Sequence, residues 1–162
     1  MTAPEPDVFR AAMSHFASGV TVVTTVQGGI DHAMTASAFT SVSLDPPLVL
    51  VCVDKSARFH QAVALSRSWG ASILTGSQQP LARRLATRGR PLAGQLADYA
   101  HSRGPHTGAA LLDRALCRLE CRTWEMYDGG DHTIVVGEVV WLDAPDTDEP
   151  AMVWFRSTFV SI

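Results

Sequence analysis

Thr35 to Ser43 carries five hydroxyls in nine residues, Thr35-Ala36-Ser37-Ala38-Phe39-Thr40-Ser41-Val42-Ser43. Small side chains let a ligand approach the backbone, and Ser and Thr hydroxyls donate to phosphate oxygens or to the polar edge of a planar heterocycle. The same run also suits a strand with Thr and Ser on its wet face. Asp54-Lys55-Ser56 lies between an apolar strand and the next helix, where a helix N-terminus and a lysine together would hold an anion. An ordinary capped helix with a solvated lysine fits it equally. Lys55 is the only lysine among the thirteen basic residues. Arg83-Arg84, on the following helix, either reach the same anion or form a solvated face.

Gly130-Asp131-His132 closes a turn, and a turn requires Gly and Asp without any catalytic role. The other histidines, His15, His32, His60, His101 and His106, show no HExxH or similar ligand spacing, so no metal is expected. GxGxxG, GxxxxGK[ST] and GxSxG are absent. A Rossmann nucleotide site, a Walker site and a hydrolase nucleophile elbow therefore lack their anchors.

These residues must be placed by a single core. The chain has 162 residues, 46% hydrophobic and 18% charged, which predicts one domain over 1–162 that folds. The net charge of −3 gives no whole-molecule case for nucleic-acid binding. Residues 83–122 hold eight basic and three acidic groups, and residues 123–162 hold one and eight. The two segments either pair internally or present Arg to a small anion such as phosphate. Three cysteines cannot all pair within one chain, and Cys117 and Cys121 on an alternating strand read as core thiols. The apolar run Leu48 to Val53 is far short of the roughly 20 residues that span a bilayer. The start of the chain lacks a secretory pattern, so no membrane partner and a cytoplasmic location are expected.

Asp7 predicts the N-cap of a helix ending at Gly19, with Val8, Phe9, Ala12, Met13 and Phe16 at helical spacing. Val20 to Val26, rich in Val and Thr, predicts a strand that turns at Gln27-Gly28-Gly29 into an arm running from Ile30 towards Ser43. Leu48 to Val53 follows, then a helix capped by Ser56 through Arg67, a strand Ala71 to Leu74, and a helix from Ser77 to about Thr87. Residues 88–108, with four glycines and two prolines, predict a long surface loop of the kind that serves as a lid or interface arm. Two long strands between Ala115 and Asp143 meet at Asp128-Gly129-Gly130-Asp131, and Ala151 to Phe155 predicts the last strand. At least six strands joined by hairpins argue for a mainly β, closed antiparallel barrel.

Four blocks stand in one order: Phe16-Ala17-Ser18-Gly19-Val20-Thr21-Val22-Val23-Thr24-Thr25, Met34 to Val49, Val53-Asp54-Lys55-Ser56, and Gly129-Gly130-Asp131-His132-Thr133-Ile134-Val135-Val136-Gly137-Glu138-Val139. Together they resemble the flavin reductase family with the FMN-binding split-barrel fold, the reductase components of two-component flavin monooxygenases. The resemblance runs from about Phe9 to Phe159. It implies a six-stranded antiparallel Greek-key split barrel with a few short flanking helices, and a homodimer with flavin at the subunit interface. It also implies hydride transfer from NADH or NADPH to FMN or FAD, and delivery of the reduced flavin to a separate monooxygenase. By motif position, Thr35, Ala36, Ser37, Ser41 and Val42 resemble the segment that holds the isoalloxazine and ribityl chain, and Lys55 and Ser56 the phosphate-side loop. Arg84 matches a position on the helix after it. Gly130, Asp131 and His132 resemble the motif that contacts the nicotinamide nucleotide, with His132 in the catalytic place. Phe155, Arg156 and Phe159 match an aromatic segment near the dinucleotide. The sequence departs from the family pattern at Leu85, where Phe is common, at Ser157, where Gly is usual, and in 88–108, which lacks a Lys-Phe-Ala-Gly stretch. The alternatives are a non-catalytic flavin-binding barrel for storage or sensing, and a split-barrel oxidase with another substrate.

Overall fold

β-Branched residues fill β2 (Thr21–Gln27), and the two-residue turn after it needs positive φ at both positions, which Gly28 (60°) and Gly29 (76°) supply. The return strand is β3 (Ile30–Ala36). The computed structural model describes residues 2–162 and places these strands in a seven-stranded sheet of order β3-β2-β6-β9-β10-β5-β4. Its other members are β4 (Phe39–Leu44), β5 (Pro47–Asp54), β6 (Ser68–Ile73), β9 (Cys117–Gly129) and β10 (His132–Asp143). Every neighbouring pair is antiparallel.

The arm expected from Ile30 towards Ser43 is not one strand. After Ala36 the chain leaves β2, the Ala38 carbonyl accepts from Cys52 N–H at 3.0 Å, and β4 continues along β5. β3 and β4 thus become the two edges of the sheet, which gives the barrel its split and the sheet its seventh strand. Inside lie Val23, Val49, Val51, Val53, Trp69 and Val135, capped by Phe59 and Val63 of α2 (Arg58–Ser66). Trp69 fixes one glycine, because a Cβ at Gly137 would stand 2.6 Å from its ring carbon Cζ2.

A second core gathers Val22, Leu74, Leu81, Leu85, Leu112 and Met152 beneath α3 (Gln79–Ala86). Segment 88–108 is not wholly loop: it ends in β7 (His101–Arg103), which pairs with β8 (Ala110–Leu112). The buried Glu120 carboxylate secures that hairpin by accepting from the Thr107 N–H and hydroxyl at 2.6 Å each and from the His106 N–H at 3.1 Å. A third sheet joins β1 (Ser18–Gly19), β11 (Met152–Phe155) and β12 (Thr158–Ser161), so β11 is not the last strand. The β11–β12 turn sets Arg156 (48°) and Ser157 (60°) in the left-handed region.

Helix starts also move. Pro6 in the first turn brings α1 (Pro6–Met13) forward to an N-cap at Glu5, and Asp7 instead pairs with Arg10 at 2.7 Å. α1 ends at Met13, well before Gly19. Ala57, not Ser56, caps α2, and Ser77 lies in a short 3-10 turn, Gly76–Gln78, ahead of α3. Between the basic middle segment and the acidic end of the chain, Arg118 pairs with Asp143 and Arg114 with Glu149 at 3.6 Å. Among the described residues, no helix is long and apolar enough to cross a membrane.

Candidate functional site

The β5–β10 ladder sets His132 opposite Asp54 and Thr133 opposite Val53. That register lays the end of β5 against the turn of the β9–β10 hairpin, so Asp54-Lys55-Ser56 and Gly130-Asp131-His132, distant in sequence, become neighbours. Lys55 joins the two. Its backbone N–H donates to the Asp131 carbonyl at 3.0 Å, and its ammonium donates to the Gly130 carbonyl at 2.5 Å and pairs with Asp128. The ammonium holds the Asp128 carboxyl below the usual carboxylate range. His132 Nδ1 lies 2.7 Å from Asp131 Oδ1. Lys55 thus ties the hairpin tip down, and the cavity beside it is lined by Ser56 but not by Lys55.

That cavity, about 390 Å³, opens between β3, the start of α2 and the segment after α3. Thr35 and Ser56, two of the residues singled out in the sequence, both line it. The Thr35 hydroxyl donates to the Ala82 carbonyl at 2.8 Å, which ties β3 to α3. Asp54 organises the opposite wall: its carboxylate accepts from the Ser56 N–H at 2.7 Å, the Ser56 hydroxyl at 2.6 Å and Arg88 at 2.6 Å. The Ser56 hydrogen bonds, with a smaller contribution from Arg88, hold the Asp54 carboxyl down at about 2.

Arg58, Arg88 and Arg90 face the cavity against one carboxylate, Asp54, so it is built for an anion. Arg90 is fixed by the carbonyls of Thr87, at 2.7 Å, and Ala33, and by Gln95 Oε1 at 3.2 Å. Burial, helped by the charges of Arg58 and Arg84, pulls the Arg90 guanidinium below its ordinary pKa. His32 also lines the cavity. Only 9% of it is exposed and its Nδ1 has no partner; burial and the Arg58 charge, opposed by Asp31, lower its pKa and favour the neutral ring. None of His32, Arg58, Arg88, Arg90 and Gln95 was singled out in the sequence. The basic excess in residues 83–122 was the signal that an Arg-lined anion site was available.

The remaining sequence candidates lie outside this cavity. Ala36 is buried in the barrel core, and Ser37 sits half-buried where β3 gives way to β4. Ser41 and Val42 are exposed on β4, with Val42 at a shift in the ladder between Ser41 and Ser43. Phe155 and Phe159, on the strands of the third sheet, and Arg156, in the turn between them, do not line the cavity. Phe159 stacks edge-on against Trp154 at 4.8 Å beneath the Arg83 guanidinium, and Arg156 lies over Phe155 at 5.2 Å. Arg84 reaches Asp98 at 3.4 Å and lines an adjoining cavity that shares Arg90 and Gln95 with the first.

Known proteins share this arrangement of strands. Residues 13–162 match the flavin reductase like domain. The chain is 43% identical to an NADH-dependent FAD reductase of Streptomyces globisporus over 81% of its own length and 72% of that protein. It is 38% identical to an NADH:riboflavin 5'-phosphate oxidoreductase of Streptomyces pristinaespiralis, over 95% and 86%. The crystal structure of BorF, the flavin reductase component of a bacterial two-component tryptophan halogenase, superposes with a TM-score of 0.92 at 42% identity and covers 98% of each chain.

Proposed function

Since the chain belongs to the flavin reductase like family, we propose that it is an NAD(P)H:flavin oxidoreductase that reduces FMN or FAD and hands the reduced flavin to a separate flavin-dependent monooxygenase. The observation that carries the reading to the residues is the guanidinium-lined cavity containing Thr35 and Ser56, set beside the Lys55-anchored hairpin tip. When bound, the two nucleotides supply the reactivity, a hydride leaving C4 of dihydronicotinamide for N5 of the flavin, so the protein needs no acid–base pair.

The chain's own work is binding and alignment. Ser56 and Arg88 hold the flavin phosphate, each already positioned by Asp54. Thr35, Ala36 and Ser37 at the end of one edge strand, with Ser41 and Val42 on the sheet's other edge strand, form the bed for the ribityl chain and isoalloxazine. Gly130, Asp131 and His132 form the rim that orients the nicotinamide, with His132 as the catalytic contact, and Lys55 keeps that rim in place. Phe155, Arg156 and Phe159 lie on another sheet, and a homodimer is the arrangement that brings such a segment to a partner's site. The protein works as one domain, in the cytoplasm, where its reductant is made.

NADH oxidation followed at 340 nm with and without added free FMN or FAD tests this reading. Oxidation that requires added flavin and saturates with it is expected. Tight retention of flavin with no NADH oxidation would instead assign a storage or sensing barrel.

A further inference from the structure

Arg90 lines the anion cavity, yet its guanidinium is engaged by the protein's own oxygens. Nη1 donates to the Thr87 carbonyl at 2.7 Å, Nε to Gln95 Oε1 at 3.2 Å, and Nη2 to the Ala33 carbonyl. One half-buried side chain thus joins three pieces of chain: the end of α3, the edge strand β3 and the segment that follows α3. The Arg90 backbone carbonyl is held too, accepting from Arg58 on α2. Arg88 is different, with 83% of its side chain exposed beside Asp54.

The chain around Arg90 is otherwise loosely attached. Gly89 and Gly94 bracket it with φ of 74° and 67°, a region glycine enters without steric cost, and a Cβ at Gly89 would meet nothing within 4 Å. Pro91, Ala93 and Gly94 are exposed, and the first buried residues after Arg90 are Gln95 and Leu96. Hollow space borders the segment: besides the anion cavity, one of about 290 Å³ reaches Arg90 and Pro91, and one of about 530 Å³ reaches Leu92 to Gly94. A stretch with so few buried contacts opens without disturbing the core, and its closed position depends on the hydrogen bonds of one side chain. Because Gly89, Arg90 and Gln95 are themselves wall residues, moving the segment opens the cavity.

We propose that residues 89–94 are a flap hinged at Gly89 and Gly94, and that Arg90 is its latch: releasing the Thr87, Ala33 and Gln95 oxygens frees the flap and lets the cavity's ligand enter and leave. That this ligand is flavin rests on the flavin-reductase reading above; the latch itself does not. A reductase that hands its product to another protein must exchange flavin repeatedly, and such a flap sets the rate of that exchange. The role differs from that of a phosphate ligand. A phosphate contact slows the departure of flavins that carry a phosphate, whereas a latch slows both arrival and departure and acts equally on riboflavin, which shares the ribityl end placed at Thr35.

Two measurements on the whole chain test this, with the wild type, Arg90→Lys, which keeps the charge but cannot span three acceptors, and Gln95→Leu, which removes one acceptor. Hydrogen–deuterium exchange of the flavin-free protein follows peptides covering 89–98, and stopped-flow fluorescence gives association and dissociation rates for oxidised FMN and riboflavin. Arg90→Lys should speed exchange in 89–98 by about tenfold, the effect of losing one hydrogen bond to a charged group, while exchange in β9 stays unchanged and shows that the variant is folded. It should raise both rate constants for both ligands and alter their ratio much less. Gln95→Leu should act in the same direction with smaller size. Unchanged exchange in 89–98 in both variants would overturn the latch. So would faster FMN dissociation with riboflavin unaffected, because Arg90 would then be a phosphate ligand. A wild type that neither binds flavin nor oxidises NADH would overturn the reductase reading alone, since exchange decides the latch without flavin or turnover.

Discussion

Lys55 and Arg88 carry similar charge near the same loop but do different work. Lys55 is engaged by the Gly130 carbonyl and Asp128 on the hairpin, whereas Arg88 reaches Asp54 and Ser56 at the cavity. Arg88→Ala should weaken FMN and FAD alike by about 1.5–3 kcal/mol, the range for one hydrogen bond to a charged group, and leave riboflavin binding unchanged in fluorescence titrations. Lys55→Ala should instead raise the KM for NADH and leave flavin affinity nearly intact, and His132→Ala should slow hydride transfer in stopped-flow reduction of preloaded flavin, tenfold for about each 1.36 kcal/mol of lost alignment. A flavin-affinity loss in Lys55→Ala equal to that in Arg88→Ala would return Lys55 to the phosphate. His32 gives a pH signature. Burial and Arg58, opposed by Asp31, lower its folded pKa below 6.5, so the unfolded chain takes up that proton first. Stability from this group is complete above the unfolded pKa and declines as pH falls through it and below. Thermal denaturation at pH 7.5 and pH 5.5 should therefore show a smaller acid-induced drop in Tm for His32→Phe than for wild type; identical drops would show that the ring is not held neutral by the fold.

At the scale of elements, the β11–β12 hairpin turns on two non-glycine residues in the left-handed region, Arg156 and Ser157. That conformation costs an L-residue about 1–2 kcal/mol, partly offset in a glycine variant by the greater freedom of its unfolded chain. Ser157→Gly should stabilise the protein by about 1 kcal/mol, raising Tm by roughly 2–4 °C; an unchanged or lower Tm would mean the Ser157 side chain makes up the difference. The same turn shows why β12 was not legible: without Gly, Asn or Asp at 156–157, the sequence holds no turn signal after β11. Where the signal is strong, sequence and structure agree, as at Gly28-Gly29 and at the β9–β10 hairpin with its turn residues and alternating flanks. The division of β3 from β4 was hidden because Ala36-Ser37-Ala38 breaks no local preference; the competing partner, β5, decides it from a distance. The site divides similarly. Thr35 and Ser56 could be read from local residue types, but Arg88, Arg90 and Gln95 come from a segment whose glycines and prolines announce only a loop, and their convergence on His32 is purely tertiary.

For the whole molecule, the barrel leaves one sheet face incompletely covered. Along β5 the core takes Val49, Val51 and Val53, so Leu48, Leu50 and Cys52 point the other way and remain half-buried. Across the ladder Cys52 faces Ile134 and Leu50 faces Val136, while Tyr127, paired with Ile134, is 53% exposed. On the adjoining edge strand Val42 is exposed, at the ladder shift beside Ser41. Water against exposed apolar side chains is unfavourable, at about 25 cal/mol per Å² that a partner could cover, and a stable homodimer buries roughly 800 Å² or more per subunit. The face borders Ser41 and Val42, the proposed isoalloxazine bed, so dimerisation and flavin binding should be coupled. Ile134→Asp puts a charge at the middle of the face while its strand neighbours Thr133 and Val135 keep the core intact. Sedimentation equilibrium should give a dimer for the wild type and a folded monomer for the variant, and the monomer should lose flavin affinity although Thr35, Ser56 and Arg88 are untouched. A wild-type monomer that reduces flavin at full rate would show that one chain completes the site and that the apolar face serves some other contact.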